Sequence, residues 1–116
     1  MMVDSRPDLK RGIGLFDAGR YYEAHEEFEH AWRAAPRAER LFVQALVHCA
    51  AACHHAARGN FPGACLQAQR AARKLAGYLP VHGGVDTLRL WRDVQAWQAS
   101  WQGGQPAGRA TIGVRR

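Results

Sequence analysis

Apolar positions recur along the chain at the three- and four-residue spacing of amphipathic helices, as Leu9, Ile13 and Phe16 illustrate. Alanine is abundant, β-branched residues are scarce, and Gly and Pro stand between the apolar stripes. This combination favours helices over strands. The pattern predicts five helices, over residues 7–18, 21–34, 38–58, 61–76 and 87–100.

The short breaks between these segments indicate how the helices pack. We predict an all-α fold in which two antiparallel helical hairpins pack together and a C-terminal helix completes the core. The run Gly19-Arg20-Tyr21 is echoed by Gly59-Asn60-Phe61, and each run is followed by alanines at close-packing positions. This packing is similar to that of tetratricopeptide repeats, although the two copies lie further apart than the usual period of about 34 residues.

The length of 116 residues suffices for one domain. A composition of 47% hydrophobic and 22% charged residues is that of a globular protein, and it excludes a disordered or collagen-like chain. We predict a single helical domain over residues 1–101. The segment 102–116 is rich in Gly and carries basic residues but no acidic ones, which predicts a flexible basic tail.

The first residues carry charges and lack an apolar core, so we expect no signal peptide. No apolar stretch is long enough to span a bilayer, so we expect no membrane partner. We therefore predict a cytoplasmic protein with three reduced cysteines. Cys49 and Cys53 share one helix face and are predicted to be small core residues, because no second pair completes a zinc site.

Polar side chains interrupt the aromatic face of the second predicted helix, where His25 and Glu29 lie one turn apart. If the second and third helices form an antiparallel hairpin, His25 lies opposite His48 and Glu29 lies opposite Gln44. A buried His or Glu needs partners, since an unpaired buried charge is costly. The resulting candidate pocket consists of His25, Glu29, Gln44 and His48, with His55 at its margin.

Three roles stay open for this pocket. It can be a buried hydrogen-bonded network that fixes the register of the helices. It can hold a divalent metal, with His25, Glu29 and His48 as ligands and water at the open positions. It can also perform general acid–base catalysis without a metal, with Glu29 orienting the imidazole of His25. A di-iron site is excluded because only two acidic residues follow residue 39.

The charges are unevenly distributed. The chain has 16 Lys and Arg against 10 Asp and Glu, which gives a net charge of +6. The acidic residues crowd the second helix, whereas Arg58, Arg70, Arg73 and Lys74 lie in a stretch that contains no acidic residue. This distribution predicts a basic face which, together with the basic tail, would bind nucleic acid or another polyanion weakly.

A longer stretch around the polar cluster has a characteristic sequence, which combines Leu15–Glu26 with Glu29 and Trp32–Arg33 and continues through Leu41–Gln44 and Ala50–Asn60. On these residues the chain resembles the small bacterial and archaeal helical proteins called domain of unknown function 309, over residues 9–79. The resemblance implies an all-α single domain and no particular activity. Where that family usually has Gly-Leu-Ile-Gln, this chain has Ala45-Leu46-Val47-His48, which puts an imidazole in place of an amide.

Three functions are consistent with these patterns. The leading hypothesis is a non-enzymatic domain that binds a protein partner or forms a homo-oligomer, because three of the four tryptophans lie in the last helix and Trp is enriched at contact surfaces. The first alternative is a small metal-dependent hydrolase that uses the His/Glu pocket with a divalent metal. The second alternative is a weak polyanion or nucleic-acid binder.

Overall fold

The computed structural model describes residues 2–114, which form five α-helices joined by short turns. The predicted all-α fold is confirmed, and every predicted helix boundary lies within two residues of the observed one. No residue of the described range belongs to a β-strand, and His82 and Val85 form one isolated bridge. The helices are α1 (Pro7–Asp17), α2 (Tyr21–Arg33), α3 (Arg40–Ala57), α4 (Phe61–Leu75) and α5 (Thr87–Gln102).

Each helix packs against the next one along the chain, from α1 on α2 to α4 on α5. The contact between α1 and α2 is close at Gly12, because a Cβ added there would lie 2.5 Å from Cε1 of the buried Phe28. Small residues also line the contacts between α4 and its neighbours, since Ala64, Ala68 and Ala71 are buried there. Short side chains let helix axes approach closely, so the fold depends on these positions staying small.

Side chains cap the two later helices where the sequence predicts helix starts. The Asn60 side-chain oxygen accepts a hydrogen bond of 3.1 Å from the backbone N–H of Gly63, and Pro62 occupies the first turn of α4. The Asp86 carboxylate accepts one of 3.0 Å from the N–H of Arg89 at the start of α5. Each bond satisfies one of the unpaired amides at a helix N-terminus.

The segment after α5 differs from the predicted flexible tail. Residues 105–114, which we call the strap, fold back over α1 and α5, and Ala110 and Ile112 become buried there. Their alternating apolar side chains complete the core. The sequence did not predict this contribution, because Gly and Arg residues surround the apolar positions of the strap. Arg115 and Arg116, also predicted to be part of the tail, lie outside the described residues.

Hydrogen bonds to α1 and α5 fasten the strap. The Asp17 carboxylate accepts from the backbone N–H of Ile112 at 2.7 Å and from that of Gly113 at 3.1 Å. The Arg89 guanidinium donates to the carbonyl oxygen of Thr111 at 2.9 Å. Charged partners strengthen hydrogen bonds, so these contacts hold the strap against α1 and α5.

Within residues 2–114, the helices lack the combination of length and apolarity that a membrane crossing needs.

Candidate functional site

The predicted pair on α2 lies at the surface. His25 Nε2 is 3.6 Å from Glu29 Oε1, and the side chains are 29% and 41% exposed. Glu29 Oε2 also lies 3.7 Å from the Arg33 guanidinium. The core face of α2 carries Ala24 and Phe28, as the predicted stripe has it, and His25 lies at the edge of that face. Since both groups reach solvent, this is a surface ion-pair chain and not a buried network.

His48 on α3 is the most constrained of the predicted pocket residues. Its Nδ1 lies 2.8 Å from Gln67 Oε1, and its Nε2 lies 3.0 Å from the Lys74 ammonium nitrogen. Because an ammonium group only donates, Nε2 accepts from Lys74, and Nδ1–H donates to Gln67. Burial lowers the pKa of His48, and the charges of Lys74 and Arg70 lower it further, against a raising effect of the Gln67 hydrogen bond. The ring is therefore a neutral imidazole with a defined tautomer.

Three basic side chains of α4, namely Arg70, Arg73 and Lys74, lie close together near His48 of α3. Burial lowers the pKa of Lys74, and repulsion from Arg70 and Arg73 lowers it further. Arg70, Arg73 and Lys74 form no ion pair with a carboxylate of the described residues. The sequence explains this, because no Asp or Glu occurs from residue 40 to residue 85. The group is thus a local excess of positive charge.

The remaining predicted pocket residues are dispersed. Gln44 is half-buried on α3, one turn before His48. His55 lies in the last turn of α3, where its Nδ1 is 3.3 Å from the Asn60 side-chain nitrogen. His25 is linked to His48 electrostatically, since its charge contributes to the lowered pKa of that ring. The structure therefore joins His25 with Glu29 and His48 with Lys74, and it does not enclose the five residues in one pocket.

The predicted metal ligands do not come together either. Among residues 2–114, no group of three or more His, Cys, Asp or Glu side chains is placed to hold a metal ion. Both nitrogens of His48 are engaged by Gln67 and Lys74, and the adjoining ammonium would repel a cation. His25, Glu29 and His48 consequently do not fit a divalent metal, so the geometry gives no support to a metal-dependent hydrolase.

A tilted pair of aromatic rings lies near the C-terminal end of α3. The ring of Tyr22, which is 56% exposed, lies 5.4 Å from the ring of His54 between centroids. Burial lowers the pKa of His54, and the neighbouring charge of Arg58 lowers it further. The charge of His25 makes a small contribution to the lowered pKa of both His48 and His54.

We call the combined surface the cationic face, which consists of His48, His54, Arg58, Arg70, Arg73 and Lys74. From His48 to Arg58, which follows the last residue of α3, it extends about 15 Å along the axis of that helix. Its four Lys and Arg residues were predicted from the acid-free stretch. The contributions of His48, His54 and Tyr22 were missed, because they depend on contacts between different helices.

The tryptophans belong to the core. Trp97 and Trp101 are buried and only 6% and 4% exposed, and the Trp97 ring lies 6.2 Å from that of Phe16. Trp91 is half-buried, and the Trp32 ring is covered by the guanidinium of Arg40 at 4.8 Å. The count of tryptophans therefore no longer favours a partner surface, and the homo-oligomer stays a prediction.

A comparison with protein-family models matches residues 9–66 to a family described as "Domain of unknown function (DUF309)". The match covers half of the chain and runs from α1 to the first turns of α4. It includes His25, Glu29 and His48 but ends before Gln67 and the cations of α4. A comparison with curated proteins finds no match.

Proposed function

The chain belongs to the DUF309 family, and from that premise we propose that it is a non-enzymatic binding domain whose cationic face holds a single strand of nucleic acid. The observation that carries the proposal is the unneutralised group of Arg70, Arg73 and Lys74 on an acid-free pair of helices. Arginine and lysine are the side chains that bind phosphate groups most readily, through charge-assisted hydrogen bonds.

Electrostatic crowding favours an anionic ligand here. Arg70 and Arg73 destabilise the charged form of Lys74, as its lowered pKa indicates. The neutral His48 ring fixes the Lys74 ammonium without adding a charge. A phosphate beside these side chains would relieve their mutual repulsion, and its binding would release counterions from the nucleic acid.

The length of the cationic face and its aromatic end favour an extended strand over a compact anion. His48 and His54 lie on α3, Arg58 follows its last residue, and the exposed Tyr22 ring lies 5.4 Å from the His54 ring between centroids. Proteins that bind single strands combine such a positive track with aromatic rings on which bases stack.

Fluorescence anisotropy with a labelled oligothymidylate of about 16 nucleotides tests the proposal. We expect binding at low salt that weakens as salt rises, with a logarithmic slope of about −2 if three phosphates are contacted. Arg70→Ala and Arg73→Ala should each weaken binding and make the slope shallower. Tyr22→Ala should weaken binding and leave the slope unchanged.

Arg20→Ala is the matched control, because Arg20 is an exposed arginine whose guanidinium already pairs with Glu23. It should bind as the wild type does. The proposal is overturned if the wild type does not bind at low salt, or if Arg20→Ala loses as much affinity as Arg70→Ala. Equal affinity for polyglutamate would also overturn it and would indicate an acidic protein partner.

A further inference from the structure

We propose a second ligand site, a cavity of about 150 Å³ enclosed by α2, α3, α5 and the strap, that takes one small uncharged aromatic molecule. It lies where the N-terminus of α2 meets the C-terminal ends of α3 and α5. None of its lining residues belongs to the cationic face, so the inference does not depend on the proposed function.

Aromatic rings and small aliphatic side chains shape this cavity. Tyr21 and Trp101 provide flat aromatic walls, and Ala56 and Ala107 leave the space between them free. The Cys53 thiol also faces the cavity, and burial raises its pKa, so it stays uncharged. A wall of this composition binds apolar rings and offers no counter-charge to an ion.

The cavity has a fixed boundary on its strap side. The strap is fastened by the Asp17 carboxylate, and the Arg109 guanidinium beside the cavity donates to the backbone oxygen of Asp17 at 2.5 Å. Pro106 and Gly108 line the cavity and are exposed, so it opens to solvent there. Protein interiors leave few voids of this size, which makes a persistent opening with rigid walls a candidate for occupation.

The size of the cavity limits the ligand. An apolar cavity of roughly 150 Å³ holds benzene, whereas drug-sized ligands need roughly 300 Å³ or more. A single six-membered ring therefore fits within the walls, whereas a fused bicyclic ring would extend out of the open side. The Tyr21 hydroxyl takes a backbone hydrogen bond from Ala110, and it can donate its own proton to a hydroxyl group on the ligand. We therefore expect phenol to bind more tightly than benzene.

A two-dimensional NMR titration of the full chain with phenol tests this site. We expect shift changes that saturate and are confined to the strap, to the N-terminus of α2 and to the C-terminal ends of α3 and α5. Ala56→Leu fills the cavity and should weaken phenol binding at least about tenfold. Ala96→Leu is the matched control, because Ala96 is exposed on α5 and lies outside the cavity wall. It should bind phenol as the wild type does.

Three results would overturn the inference. The first is that the wild type shows no saturable shift changes up to the solubility limit of phenol. The second is that Ala56→Leu binds phenol as tightly as Ala96→Leu does, and the third is that 2-naphthol binds more tightly than phenol. If Ala56→Leu does not fold, Ala107→Leu fills the same space from the strap and replaces it in the comparison.

Discussion

Two glycines of α1 allow the closest helix contact to be tested with a matched pair of substitutions. Gly12 and Gly14 lie two residues apart in the same helix, and neither has a positive φ. A Cβ at Gly12 would lie 2.5 and 2.6 Å from two ring carbons of Phe28, whereas a Cβ at Gly14 would meet nothing within 4 Å. The two glycine-to-alanine replacements therefore make the same change in helix propensity, but only the one at Gly12 affects the packing against Phe28.

The two substitutions are expected to change the free energy of unfolding in opposite directions. Alanine in place of glycine inside a helix stabilises by about 1 kcal/mol, and Gly14→Ala should gain most of this amount. Gly12→Ala makes the same gain, but its Cβ overlaps a fully buried ring that must move by about 1 Å to restore ordinary contact. Overpacking of this kind costs about 1–3 kcal/mol, so we expect Gly12→Ala to be less stable than Gly14→Ala by about that amount.

Urea unfolding followed by circular dichroism gives the free energy of unfolding of both variants by linear extrapolation. Phe28→Leu should remove the overlap, so the penalty of Gly12→Ala should shrink in the Phe28→Leu background. The reasoning is refuted if Gly12→Ala is as stable as Gly14→Ala, or if the penalty is the same with leucine at position 28.

Three further predictions concern the strap, the imidazole of α3 and the cap of α4. Asp17→Ala removes the acceptor of two strap amides, so hydrogen exchange at Ile112 and Gly113 should accelerate. The free energy of unfolding should fall by about 1–3 kcal/mol. Unchanged protection of these amides would argue against the clamp, by which we mean the hydrogen bonds from the strap to the Asp17 carboxylate. The lowered pKa of His48 means that its contribution to stability is complete above the ordinary value of 6.5 and is lost as pH falls below it. His48→Gln should therefore lose less stability than the wild type between about pH 7 and about pH 5 in urea titrations, and parallel losses would contradict this. Asn60→Ala should cost about 1 kcal/mol in the same assay while Asn60→Asp keeps the cap, and equal losses would show that the cap contributes little.

The helices were predictable because local signals mark their ends. Gly19 and Gly59 have positive φ angles of 82° and 78°, a conformation that glycine adopts without strain, and each separates two apolar stripes. Pro36 likewise lies between α2 and α3. Such signals depend on a few neighbouring residues, so helix ends can be predicted from a single sequence.

The candidate site was predictable only in part, because its contacts join residues from different helices. The acid-free stretch identified Arg70, Arg73 and Lys74 before any geometry was known. The partner of His48 was sought on the second helix, whereas α4 provides it through Lys74. The predicted stripe of α2 contained both Ala24 and His25, and only Ala24 is fully buried, because His25 lies at the edge of the core face.

The sequence separation spanned by the clamp on the strap leads to an expectation about the order of folding. Asp17 and the amides it holds are 95 and 96 residues apart, whereas the contact between α3 and α4 closes across a short turn. The entropy lost on closing a loop increases with its length, so the helical hairpins are expected to form first and the strap to dock last. The aromatic cavity is then absent from every earlier stage, and a ligand that occupies it acts only on the finished fold.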